Sequence, residues 1–138
     1  MAFTGNFTCN SFKTELLNGD VDFSADTFKI ALYTNDASLT ASTTTYTSTG
    51  EVSASGYTAG GETLTATVGA TSGTSFVNFN NVSWSAAFTA RGALIYKYNG
   101  TTNPAVCVLD FGADRTSTTT FTVQFPAASS TSALIRLA

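Results

Sequence analysis

The chain has no histidine, two cysteines, two prolines and one tryptophan among its 138 residues, and only 11% of it is charged. Each shortage excludes something. Without histidine there can be no Ser-His or Cys-His nucleophile pair, and the commonest metal ligand is missing. Cys9 and Cys107 lie far apart and match no zinc spacing. Two buried free thiols are the expected state, with a disulfide as the alternative. No metal and no cofactor is expected. The charged fraction is less than half the ~25% of ordinary soluble domains. Lys13, Lys29, Arg91, Lys97, Arg115 and Arg136 are scattered, and the net charge is −3. A nucleic-acid footprint needs a basic patch, so no nucleic-acid partner is expected. No apolar run approaches the ~18 residues of a membrane-spanning helix, so no membrane partner is expected either. Met1-Ala2-Phe3-Thr4-Gly5-Asn6 lacks the basic stretch and apolar core of a secretory signal, which predicts synthesis and folding in a cytoplasm.

What fills the space is hydroxyl and aromatic. Serine and threonine make up more than a quarter of the chain, beside eleven Phe and five Tyr. Short hydroxyl side chains keep a surface soluble and lose little entropy when buried, which suits an interface. Strands also favour threonine for their own reasons. The length predicts one domain, residues 1–138, with a core that needs no staples.

Residues 9–19 carry the one helical pattern. Ser11 is the candidate cap, Phe12, Leu16 and Leu17 share a face, and Gly19 suits the stop. From residue 26 the apolar period falls to two, with Phe28, Ile30 and Leu32 on one side. Asn35 to Gly50 is polar and predicts an extended surface loop, with a short strand near Thr47–Ser53 as an option. Residues 62–69 and 76–79 read as strands, with Gly60-Gly61 as a turn. The strongest supersecondary signal is a hairpin. Residues 92–98 and 105–111 are apolar runs flanking Asn99-Gly100-Thr101-Thr102-Asn103-Pro104. Such runs fit central strands covered on both faces. A last pair of strands follows, 119–125 and 133–137. The expected fold is all-β, an antiparallel two-sheet sandwich of jelly-roll type with one short N-terminal helix; a small closed barrel is the alternative. The expected core includes Ile30, Leu32, Leu94, Tyr96, Val108, Phe121, Val123 and Phe125.

The candidate chemistry is sparse. Asp110 and Asp114 bracket Phe111-Gly112-Ala113, with Arg115 beside them. They read either as a glycosidase carboxylate pair or as an ion pair or Asx turn closing a hairpin. Asp20, Asp22 and Asp26 crowd one connector, but the glycine and glutamate positions of a calcium loop are not met. Arg91 opens an apolar strand and either pairs with Asp110 or sits at a rim. Gly92 implies a bulge or a close backbone approach. Trp84 is a core aromatic or a sugar-stacking platform. No catalytic residue is assigned. Phe3, Phe7 and Phe12 precede the first good strand and are the candidate partner interface, on an N-terminal arm of residues 1–12. The other reading of these rings, with Phe23, is that they lie across the sandwich and seal it.

Several strings carry a resemblance. They are Phe12-Lys13 with Leu16-Leu17, Ala25-Asp26-Thr27-Phe28-Lys29-Ile30-Ala31-Leu32-Tyr33-Thr34, Glu51-Val52, Gly56-Tyr57-Thr58-Ala59-Gly60-Gly61, Trp84-Ser85, Ala90-Arg91-Gly92-Ala93-Leu94-Ile95-Tyr96, Val108-Leu109-Asp110-Phe111-Gly112 and Phe121-Thr122-Val123-Gln124-Phe125-Pro126. From about Met1 to Leu137 the chain resembles small structural proteins of tailed bacteriophages. The resemblance implies a virion protein, of the kind that cements or decorates a capsid and clamps adjacent capsomers. It implies the major capsid protein as partner, a homo-oligomer (dimer or trimer), and a place on the capsid surface. It supplies no catalytic motif, and no enzyme is expected. The alternatives are a tail, baseplate or fibre-associated protein, and a carbohydrate-binding adhesin module; a carboxylate hydrolase ranks last.

Overall fold

The computed structural model describes residues 3–138. It is predominantly β with antiparallel sheets. In chain order the elements are β1 (Phe7–Thr8), α1 (Asn10–Asn18), β2 (Phe28–Tyr33), β3 (Glu62–Leu64), β4 (Ala66–Thr71), β5 (Thr74–Phe79), β6 (Val82–Trp84), β7 (Thr89–Lys97), β8 (Ala105–Thr116), β9 (Phe121–Val123) and β10 (Ile135–Leu137). They form a five-stranded sheet in the order β1-β8-β7-β2-β3, a three-stranded sheet β10-β5-β4, and a two-stranded sheet β6-β9.

The expected hairpin is the centre of the large sheet. Leu94 stands opposite Val108 and Ile95 opposite Cys107, while Ile30 of β2 flanks Ile95 on the other side. β-branched and aromatic residues fill these strands because both faces are covered. The turn closes on itself. Asn99 Oδ1 accepts the N–H groups of Thr101, Thr102 and Asn103 at 2.9–3.0 Å. Asn103 takes a left-handed φ of 46°, which asparagine tolerates better than most residues.

Aromatic contacts join the layers. Phe28 of β2 meets Phe79 of β5 at 6.1 Å between ring centroids, and Phe111 of β8 meets Phe121 of β9 at 6.1 Å. Phe79 also meets Phe125 at 5.8 Å, just beyond β9. These contacts tie the large sheet to the two small ones, and the core extends over both faces of the large sheet, where consecutive Ala93, Leu94, Ile95 and Tyr96 are all buried. Ile30, Leu32, Leu94, Tyr96, Val108, Phe121 and Val123 are buried, and Phe125 is half-buried.

The structure departs from expectation in several places. Cys9, not Ser11, occupies the helix N-cap, and it makes no side-chain cap bond. The Ser11 hydroxyl is instead buried without a partner. Leu17 is 85% exposed, so the buried helix face is carried by Phe12, with Leu16 packed partly against the core. The C-terminus ends as expected: Gly19 has φ 82° and its N–H reaches the Leu16 carbonyl. The sequence leaves the partners of the last two strands open. β9 pairs with β6 and β10 with β5. Buried Asn78 on β5 accounts for part of this: its Nδ2 donates to the Pro126 carbonyl and its Oδ1 accepts the Leu134 N–H. Both ends of the connector are thereby tied to β5.

The stretch after β2 is not a loose loop. Ala37, Leu39, Val52 and Tyr57 are buried along it. β3 covers β2 only as far as Ile30. Beyond that point the Val52 N–H donates to the Leu32 carbonyl, and the Leu32 N–H donates to the Tyr57 hydroxyl at 2.8 Å. Tyr33 forms an isolated bridge with Glu51. The segment completes an edge that the strands leave open.

Candidate interaction surface

The N-terminal aromatics point inward. Phe3 and Phe12 are each 1% exposed, and Phe7 is half-buried against the core. The expected exposed aromatic arm is corrected accordingly; Met1 and Ala2 lie outside the described residues. The physical reason lies in Gly92. A Cβ there would fall 2.4 Å from the Phe3 ring and 2.5 Å from the Leu109 carbonyl oxygen, so the missing side chain is the socket for Phe3. Phe7 pairs with Val108 in β1, and the Asn6 carboxamide accepts the Asp110 N–H. The segment seals the sheet, which was the other reading of these rings.

Arg91 pairs with Asp110 across β7 and β8, and its guanidinium also lies 5.7 Å from the Phe3 ring centre. Partial loss of hydration pushes the Asp110 carboxyl up. The Gly112 N–H and the Arg91 guanidinium outweigh it and hold the carboxyl below its ordinary range. Arg115 does not join this pair; it donates to the Phe111 carbonyl. The Asp22 carboxylate accepts the backbone N–H and the hydroxyl of Ser24, which is an Asx turn. Asp26 accepts the Asp22 N–H and pairs with Lys97 at 3.2 Å. Each of these carboxylates is engaged within its own turn or ion pair. Cys9 and Cys107 are both free and buried, and burial raises the Cys9 thiol to about 11.

Glu51 organises a cluster that sequence reasoning missed. Its Oε1 accepts the Tyr46 hydroxyl at 2.6 Å, and its Oε2 accepts the Tyr57 hydroxyl at 2.7 Å and the Gly60 N–H at 2.8 Å. Tyr96 stacks on Tyr46 and donates to the Gly60 carbonyl. Burial, and then the Glu51 charge, raises Tyr96 to about 12; Tyr33, Tyr46 and Tyr57 are raised further. The available signal was that Glu51 is the only ionisable carboxylate between Asp36 and Glu62, bracketed by two tyrosines. A shallow cleft beside it is lined by Ser48, Ser53, Ser55 and Tyr57.

An open feature lies between the outer half of β8 and β9. It is a groove of about 560 Å³ lined by Phe111, Arg115, Thr116, Thr120, Thr122 and Gln124, among others. Its walls are braced by two hydroxyl pairs across strands, Thr89 with Thr116 and Ser83 with Thr122, each at 2.8 Å. The groove offers a preset array of donors and acceptors with one cation.

No family model, no curated protein and no solved structure matches the chain.

Proposed function

We propose that this chain is a bacteriophage capsid cement or decoration protein that binds the major capsid protein and stabilises the icosahedral shell. A two-sheet sandwich of jelly-roll type belongs to the same proposal, with the small sheets together forming the second layer. The observation that carries the reading is the braced hydroxyl groove between β8 and β9. Side chains of this kind are short and already held, so little entropy is lost when a partner covers them. Many such contacts made at once across adjacent capsid subunits add up to firm attachment, even though each is weak. The resemblance to phage virion proteins supplies the partner. Arg115 and Gln124 at the groove give it register on that partner. The contact surface thus passes from the buried aromatics of the N-terminal segment to the groove.

The test is rebinding. Purified protein is added to capsids that lack it, alongside Arg115→Glu and Thr122→Arg. Both sites are exposed, so the fold tolerates the changes. Wild type decorates the shell, and each variant loses at least about tenfold in affinity. Full decoration by both variants would remove the groove from the interface, and attachment to tails alone would make this a tail protein.

The same groove favours one other reading, a saccharide-binding module, because hydroxyls, an amide and an arginine lie beside the Phe111 and Phe121 rings. Retention on a host-envelope glycan, lost in Arg115→Glu, would support it.

A further inference from the structure

The outer strands of this molecule are guarded with one exception. An open strand edge is a template for another chain, and proteins blunt such edges by keeping them short or charged. β1 has two residues, β3 has three and carries Glu62, and β10 has three and carries Arg136. The strands of the two-stranded sheet have three each. The outer half of β8 carries Asp114 and Arg115 and is broken by Gly112 at φ 84°. The open side of β2 is closed by Val52 and Tyr57. Among the described residues, β4 alone has none of these guards. It is the last strand of its sheet, six residues long, and reads Ala-Thr-Val-Gly-Ala-Thr with no charge and no proline. Gly69, a weak point in any strand, is covered by the Phe76 ring from β5, so β4 is kept extended.

Beside that edge lies an apolar groove lined by Leu16, Phe23, Val68, Val77, Ile135 and Leu137. Val68 is 58% exposed and Leu137 is 63% exposed. Register puts Val68 opposite Val77, and Val77 opposite Ile135, so the three share one face of the sheet. No residue of this groove or of β4 is ionisable.

We propose that the β4 edge is a self-association site, in which two copies of the chain pair β4 to β4 antiparallel about a two-fold axis. An antiparallel edge is complementary to its own copy, so one patch serves both partners. The charge pattern selects the occupant. The chain carries −3 overall and repels its copy elsewhere, whereas this patch brings no charges together. Pairing satisfies the outward N–H and C=O groups of β4 and covers the exposed Val68 of both copies; the groove, which crosses the sheet face to Leu137 on β10, stays outside the joint. The inference stands without the capsid reading, since the patch shares no residue with the β8–β9 groove.

Sedimentation of the purified chain tests it. Wild type is a dimer. Val68→Lys and Ala70→Lys, both on β4, place a charge at the joint and raise the dimer dissociation constant by about tenfold or more. Thr101→Lys, on the distant hairpin loop, leaves it unchanged. Thermal melts show which variants are folded; both sites are exposed, and either variant alone suffices. A monomeric wild type overturns the proposal. So does a dimer that persists in the folded lysine variants, because it would then use another face. Loss of capsid binding in the lysine variants, with a monomeric wild type, would assign the edge to a different partner.

Discussion

Glu51 is the residue on which the long segment after β2 depends. Replacing it with alanine leaves two tyrosine hydroxyls and the Gly60 N–H without their acceptor. Charged hydrogen bonds of this kind lead to an expected loss of about 2–4 kcal/mol, read by denaturant unfolding. Tyr57→Phe is a finer probe: it removes both the donor to Glu51 and the acceptor of the buried Leu32 N–H, for about 1–3 kcal/mol. The tyrosines also set an alkaline limit. Their folded values lie above the ordinary 10.0, so the unfolded chain ionises first. Their contribution is complete below pH 10, and it is lost as the pH rises through 10 toward about 12, the folded value of Tyr96. In a Tyr98→Phe variant, which removes the exposed tyrosine outside the cluster, tyrosinate absorbance should therefore appear together with loss of fold; its appearance near pH 10 in that variant while still folded would contradict the cluster. Little of this was legible beforehand. Tyr46, Glu51, Tyr57 and Gly60 meet only through tertiary folding, and period-two patterning carries no information about a loop. Gly92 was legible as a close approach, but the ring that approaches it, Phe3, was not.

At the scale of elements, the β7–β8 hairpin was readable because its strands are continuous apolar runs with a strong turn between them. Leu94→Ala in its middle should cost about 2–5 kcal/mol. The pairing of β9 and β10 was unreadable because both are three-residue strands whose partners lie far away in sequence. Their placement draws on two amides, Asn78 at the connector ends and Asn81, which accepts the Phe125 N–H, and nothing in the local pattern marks either. β1 was missed for a related reason: two residues give no period. Its consequence is large. Phe3 and β1 are part of the core, so deleting residues 1–8 should lower the melting temperature markedly. A truncated chain as stable as wild type would mean that the segment is dispensable. Gly92→Ala probes the same joint from the other side. The clash with the Leu109 carbonyl is with backbone, which cannot swing away, and about 1–3 kcal/mol is expected.

At the scale of the whole molecule, the strings that carry the phage resemblance fall largely on the framework. Glu51-Val52 and Gly56 to Gly61 close the β2 edge, Arg91-Gly92 forms the Phe3 socket, and Asp110 answers Arg91. The surfaces proposed for partners lie partly elsewhere, at β4 and in Thr116–Thr120, whereas Phe3 and Phe12, two of the aromatics first read as an interface, are buried. The fold class follows from local periodicity. The division into three sheets depends on long-range pairing and does not.

The central claim, that this protein cements a phage shell, is tested most directly by a cryo-EM reconstruction of the parent virion. The predicted result is density for this fold at icosahedral positions on the capsid, with Arg115, Thr122 and Gln124 facing the major capsid protein. Density confined to the tail, or a shell that carries none, would contradict it.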